Sequence, residues 1–237
     1  MRIPGLSGAL TAVCFIGIFA VSLTFPEDTP LPNAWNPGKP LSLEDPVSPL
    51  TGWKLSRALA SPAQCLSVLQ DEGVAALSPL EEPEQPGCGI SHRVDVSRVG
   101  QARLAPFESD CRTVLTLAMW ERHSVQPAAR TLLRSGVAEL LHLSSYACRP
   151  IRTASGNGSR LSTHATAMAI DVTGVVLEDG RRITLIQDWD GAGPEAGFLR
   201  QIRDGACDWF GATLGPDFNA LHADHFHLQV RGRGLCR

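Results

Sequence analysis

Lysine is almost missing from this chain: of its 21 basic residues only Lys39 and Lys54 are lysines, and the rest are arginines. No stripe of basic residues outweighs the 24 acidic ones, and the formal net charge is −3. A nucleic-acid binder needs such a stripe to neutralise phosphates, so nucleic acid is excluded as a partner. No CxxC pair occurs, which argues against a thiolate metal site. Neither an internal repeat nor a βαβ alternation is found, so solenoids and doubly wound parallel sheets drop out. Hydrophobic residues at 43% against 19% charged then exclude wholesale disorder. What remains is a mildly acidic folding chain of 237 residues, enough for one large domain or two small ones.

After Arg2 no charge appears until Glu27, and the apolar stretch GALTAVCFIGIFAVSLTF lies between them. An apolar run of ~18–20 residues behind a positive start is a secretory signal peptide or a single membrane anchor, with the remaining chain outside. No small-x-small cleavage site follows, which favours an anchor over residues 1–25. Cys14 is preceded by Val13, which does not suit a lipoprotein signal. Prolines at 26, 30, 32, 37, 40, 46 and 49 make residues 26–50 an extended Pro-rich linker. The folded domain is expected over 51–237, in the periplasm or cell envelope, with the membrane as a partner if the N-terminal helix is uncleaved. Setting Cys14 aside, six of the seven cysteines remain, and an even number in an oxidising compartment suggests three disulfides. Fifteen pairings are possible. Local loops suggest Cys65–Cys88 and Cys207–Cys236, leaving Cys111–Cys148.

Ser61-Pro62 opens a helix as N-cap and first-turn proline. Residues 89–99 alternate as a strand, and Ser109-Asp110 start a second helix, with a shorter helical piece ending at Gly136. Residues 137–147 read as a strand, and polar RTASGNGSRLST as a loop. The strands around Asp179-Gly180 form a hairpin. PEAGFLRQIRDGACDWFG is an amphipathic helix, and HADHFHLQV a last strand. The order gives an α+β domain: a small antiparallel sheet with flanking helices.

Two clusters carry the chemistry. One runs from Ser162 to Asp171 and contains His164; the other is His222-Ala223-Asp224-His225-Phe226-His227. Neutral imidazole and carboxylate are good ligands for a borderline divalent ion, and zinc commonly takes two histidines and one carboxylate. Seven extended residues span ~23 Å, so His164 must curl back from a loop while Asp171 sits on a strand. On a strand, residues 225 and 227 point to one face: both can meet one ion, or one can ligate while the other reaches substrate. Three protein ligands leave a fourth position for water, the mark of a catalytic zinc. Asp224 and His225 are placed to take the proton from that water.

The motifs S-x-H-x6-D and H-x2-H-x-H resemble those of the lysostaphin, D-Ala-D-Ala carboxypeptidase and hedgehog zinc peptidase superfamily. More closely, residues from about Cys65 to Arg237 resemble the bacterial extensin-like C-terminal domain family, through SYACR (145–149), SRLSTHATAMAID (159–171), FLRQIRDGACDWF (198–210), LGPDFNALHADHFHL (214–228) and terminal Cys236-Arg237. The resemblance implies a hedgehog/D,D-peptidase-like fold with Zn2+ on His164, Asp171 and His227. It also implies that His225 assists the reaction, that Asp224 stands where relatives carry a catalytic glutamate, and that His222 is a further active-site histidine. Arg149 would hold a substrate carboxylate or the oxyanion. The chain departs from the family where Ala167 replaces a usual glycine, Met168 a polar residue and Thr163 an acidic one. Asp224 is also one methylene shorter than glutamate, so His225 or His222 can serve as base instead. The expected activity is zinc-dependent hydrolysis of an amide in peptidoglycan stem peptides or cross-links, by a carboxypeptidase or endopeptidase. The alternatives are a zinc-stabilised, non-catalytic murein-binding module and a disulfide-held structural envelope protein.

Overall fold

The computed structural model describes residues 16–70, 74–76, 85–153, 155–232 and 234–237. The chain divides into two compact units, 1–64 and 65–237. In the first, residues 16–24 are helical, and the proline-rich stretch turns through short 3-10 segments at Pro26–Asp28 and Asn33–Trp35 before α1, Thr51–Ala60. Lys54 on α1 is buried, and its ammonium donates to the carbonyls of Asn33 (2.6 Å) and Pro40 (3.4 Å). Among the described residues no helix is long and apolar enough to cross a membrane. Residues 1–15, which hold Cys14 and much of the expected anchor, lie outside the described residues.

The helix expected behind Ser61-Pro62 is α2, Pro62–Gln70; its expected stop at Gly73 lies outside the described residues. Asp110 caps α3, Cys111–Trp120, by accepting from the Arg112 amide (3.0 Å). Nine of the ten α3 residues are buried, Thr113 and Thr116 among them, so this helix is enclosed nearly all round within the core. The two expected helical pieces are in fact continuous: wide π-type turns at Glu121–Val125 and Ala129–Leu133 flank an α turn, Gln126–Ala128, that contains Pro127, and Arg134 ends the run in the left-handed region (φ 57°). The amphipathic α4, Pro194–Trp209, buries Ala196, Phe198, Leu199, Ile202 and Ala206. Trp120 of α3 donates its indole N–H to the Ile202 carbonyl (2.8 Å), which locks the two helices together.

The sheet is larger than expected and is not purely antiparallel. Among the described residues nine strands join it: β1 (Ala75–Ala76), β2 (Arg93–Val99), β3 (Ala102–Asp110), β4 (Val137–His142), β7 (Ala169–Leu177), β8 (Arg182–Thr184), β9 (Ala212–Leu214), β10 (Phe226–Gln229) and β11 (Leu235–Cys236). Two contacts, β3 with β4 and β9 with β11, are parallel. The architecture is therefore mixed α+β with a large sheet and several helices. The expected loop after Arg149 pairs as a separate hairpin, β5 (Pro150–Thr153) with β6 (Gly156–Leu161). Thr153 Oγ1 donates to the Gly156 carbonyl (2.7 Å) and closes its turn. The hairpin at Asp179-Gly180 forms as expected, with Gly180 at φ 87°, a conformation that disfavours any side chain. HADHFHLQV is followed by β11, so it is not the last strand.

Three disulfides form, but two differ from the expected pairing. The bonds are Cys65–Cys111, Cys88–Cys148 and Cys207–Cys236, of which only the last was expected. Cys65 and Cys111 join α2 to α3, while Cys88–Cys148 fixes the chain immediately before β5.

Candidate metal centre

The site lies at the start of the central strand β7 and its neighbour β10. Ser162 caps a single 3-10 turn, Thr163–Thr166, by accepting from the His164 amide (3.3 Å). That turn swings His164 back over β7, shortening the seven-residue path to Asp171. Ala167 then reverses the chain at φ 50°, a conformation costing an alanine ~1 kcal/mol or more. This is the position where the resemblance led to glycine. Thr113 Oγ1 donates to the Ala167 carbonyl (2.7 Å), and Ser109 and Ser145 hydroxyls lie at 3.4 Å, so the strained turn is held from three sides. Across the ladder, Asp171 is the direct register partner of His227, which brings their side chains together on one face.

The three side chains converge. Nε2 of His164 lies 3.1 Å from Asp171 Oδ1 and 3.1 Å from Nδ1 of His227, and that Nδ1 is 2.9 Å from the same Oδ1. All three residues are at most 9% exposed. The outer ring atoms decide what this triangle is. Nδ1 of His164 donates to the Ser145 carbonyl (2.9 Å), which leaves Nε2 as a bare lone pair. Nε2 of His227 faces Gln229 Oε1 (3.2 Å), an acceptor, which leaves its Nδ1 bare. Two nitrogen lone pairs and a carboxylate oxygen thus meet at about hydrogen-bond distance. One proton could reconcile only one edge of such a triangle; a divalent cation reconciles all three. Tetrahedral zinc with bonds of ~2.0–2.1 Å separates its ligands by about 3.3 Å, close to the edges seen here. The donor set therefore fits Zn2+. Burial pushes the Asp171 carboxyl up, but contacts with His164 and His227 outweigh it and hold the group well below the usual carboxylate range. It is an anion at neutral pH.

The remaining expected residues surround this triangle at a cleft of about 490 Å³. His225 Nε2 lies 3.7 Å from Asp171 Oδ1, and its Nδ1 donates to Asp224 Oδ1 (2.7 Å). Asp224 touches the imidazole and none of the three donor atoms. The His222 ring packs against those of His225 (5.3 Å between centroids) and His227 (5.9 Å), and its Nδ1 donates to Asn219 Oδ1 (2.8 Å). Burial, then the neighbouring His225 and His227, push His222 down to about 4, so its ring is neutral at neutral pH. Arg149 lines the cleft without joining the cluster; its hydrogen bond goes to the Pro150 carbonyl (3.3 Å).

Two supporting groups were not foreseen. Gln229 follows the HxH pair by two residues, so the alternation that sets His225 and His227 on one face also carries Gln229 there. That signal was readable. The Ser145 carbonyl is a backbone group and leaves no trace in the sequence.

No curated protein and no solved structure matches the chain. A family does: residues 63–237 match the extensin-like protein C-terminus, a span that includes every residue of the cluster and all three disulfides. The chain belongs to the extensin-like protein C-terminus family.

Proposed function

We propose that the protein is a zinc metallopeptidase of the cell envelope that hydrolyses an amide bond in peptidoglycan stem peptides or cross-links. The observation that carries the reading is the triangle of His164 Nε2, Asp171 Oδ1 and His227 Nδ1, with both rings oriented from outside so that their lone pairs face inward. The resemblance of the two histidine motifs to the lysostaphin, D-Ala-D-Ala carboxypeptidase and hedgehog superfamily supports the choice of reaction. The apolar N-terminal stretch and the three disulfides support an exported location.

His164, Asp171 and His227 would hold the ion. Zinc supplies Lewis acidity toward a scissile carbonyl and lowers the pKa of water toward ~7. The protein's own part falls to the second cluster. Because Asp224 accepts the Nδ1 proton of His225, the opposite nitrogen is an acceptor, able to take a proton from the attacking water. Asp224 then balances the imidazolium, and His225 returns the proton to the departing amine. Neutral His222 packs against the ring and limits its rotation. Arg149, in the same cleft, donates to the negative charge that develops on the carbonyl oxygen or to a substrate carboxylate.

The test is incubation of the zinc-loaded protein with muropeptides, products being separated by chromatography and weighed by mass spectrometry. A new amine terminus from wild type, and none from His225→Ala carrying equal zinc, is the expected result. Full zinc occupancy without cleavage by wild type would instead leave the non-catalytic murein-binding module.

A further inference from the structure

We infer that the first unit carries a phosphate-binding pocket for the headgroup of an anionic phospholipid, built from Lys39, Lys54 and Arg57. The inference is independent of the peptidase reading. The chain has only two lysines, and both line one small cavity of about 150 Å³ together with Arg57 and Gln64. All of its lining residues belong to the first unit. Lys54 and Arg57 stand three residues apart on α1, hence on one face of that helix. Gly38 brings in the other lysine: its backbone passes so close to the Ser22 carbonyl that a Cβ there would overlap it. Asn36, wholly buried, fastens the same turn. Its amide donates to the Pro26 carbonyl (2.8 Å) and to Thr29 Oγ1 (2.9 Å), and its Oδ1 accepts from the Gly38 amide (2.9 Å). The cationic pocket is thereby held against the end of the helix at 16–24.

Among the described residues no carboxylate lines this cavity. Lys39 pairs with Glu27, whose side chain is 77% exposed, and an exposed pair of this kind yields readily to a competing anion. Asp45, whose charge acts on Lys54, is taken up by the side-chain amide of Asn33. The Lys54 ammonium spends two of its three donors on the Asn33 and Pro40 carbonyls. Burial pulls it below its usual range, a cost that a bound anion offsets. Arg57 lies 4.8 Å from the centre of the Trp53 ring and reaches the Pro37 carbonyl at 3.4 Å. Ammonium groups meet phosphate as point charges and guanidinium meets it as a planar fork, so the set suits a phosphodiester. The surroundings select a lipid over free phosphate. Ile18, Phe19, Val21, Leu23 and Phe25 are all exposed on or beside the helix at 16–24. Of the five tryptophans only Trp35 and Trp53 are exposed, and both belong to this unit. Exposed indoles gather at headgroup depth in a bilayer, and basic groups beside an apolar anchor draw anionic lipid.

The test uses the full chain in micelles of a neutral detergent, with protein-free micelles as the blank. Its probes are short-chain phosphatidylglycerol, short-chain phosphatidylcholine and inorganic phosphate, titrated calorimetrically. Loss of a charge-assisted hydrogen bond costs on the order of tenfold or more in affinity. Wild type is expected to prefer phosphatidylglycerol over phosphatidylcholine by about that factor. Arg57→Gln should erase most of the preference and Arg57→Lys should restore part of it. Lys39→Gln, at a more open position, should lose a smaller part. Arg98→Gln, exposed on β2 in the second unit, should leave the preference intact. Thermal denaturation checks that each variant is folded. Equal binding of the two lipids by wild type would overturn the inference. So would a preference that survives in folded Arg57→Gln and Lys39→Gln, or one that Arg98→Gln reduces as much as they do. Inorganic phosphate binding as tightly as phosphatidylglycerol would overturn the lipid assignment and leave a site for the free ion.

Discussion

Gln229 gives the sharpest handle on the proposed metal centre, because it touches His227, a proposed ligand, without belonging to the donor triangle. Its Oε1 lies 3.2 Å from His227 Nε2 and 3.2 Å from the Thr163 hydroxyl, which donates to it. Gln229→Leu removes that acceptor. The imidazole then loses the partner that fixes its tautomer and orientation. Losing the outer partner of a metal-bound histidine generally costs 10–100-fold in affinity, or ~1.4–2.7 kcal/mol. The lower end applies here. The Thr163 oxygen already stands 3.4 Å from the same ring nitrogen and, released from Gln229, can accept in its place. The expected loss is therefore about tenfold. His164 keeps its own partner, the Ser145 carbonyl, so the triangle survives. Competition against a chromophoric chelator at pH 7.5 measures the zinc dissociation constant. Gln229→Glu, which keeps an acceptor and adds charge, should bind zinc at least as tightly as wild type, and thermal denaturation checks that both variants are folded. An unchanged constant for folded Gln229→Leu would refute the reasoning, since ring orientation would then not depend on this contact.

Other perturbations separate chemistry, stability and architecture. Asp224→Asn should lower turnover of muropeptides by about 10²- to 10⁴-fold while zinc content stays at the wild-type value, because Asp224 holds His225 and no donor atom. Glu121 is fully buried, and burial raises it from 4.5 to about 7 against the opposing hydrogen bonds of Gln126 and the Gln101 and Ala102 amides. A folded value above the unfolded one gives stability that is fully present below pH 4.5 and lost as pH rises through about 7. Urea unfolding should therefore show Glu121→Gln gaining on wild type by roughly 2–3 kcal/mol between pH 4.5 and pH 8. Removing Cys88–Cys148 by a double serine substitution opens a loop between residues 60 apart and should cost about 4 kcal/mol, read as a lowered urea midpoint.

Much of the fold was readable because local chemistry and tertiary structure agree. Asp110 really does cap α3, Gly180 really does turn the β7–β8 hairpin, and the apolar spacing of α4 is the face it buries. Where the two disagree the sequence misled. β3 contains Pro106 and ends on the polar run Glu108-Ser109-Asp110, and its pairing comes from β2 beside it, so no alternation announces it. β5 and β6 are polar and glycine-rich, the composition of a loop. The fold stabilises them with the Thr153 hydroxyl at their turn and the Cys88–Cys148 bond at their base. The disulfides were misjudged for a related reason. Closure entropy rises only slowly with loop length, so the shortest loop has little advantage and packing decides: Cys65 reaches Cys111, 46 residues on. The site fared differently. Side-chain chemistry named His164 and Asp171 and left the third position open between His225 and His227, the resemblance pointed to His227, and strand period alone could have added Gln229.

The most direct examination of the central claim is metal content. Purified wild type, dialysed against metal-free buffer and read by inductively coupled plasma mass spectrometry, should retain about one zinc per chain, as expected for three buried protein ligands that leave the fourth position to water. His164→Ala and His227→Ala, each confirmed as folded by circular dichroism, should retain almost none. Wild type without stoichiometric zinc, or either variant holding as much as wild type, would contradict the account.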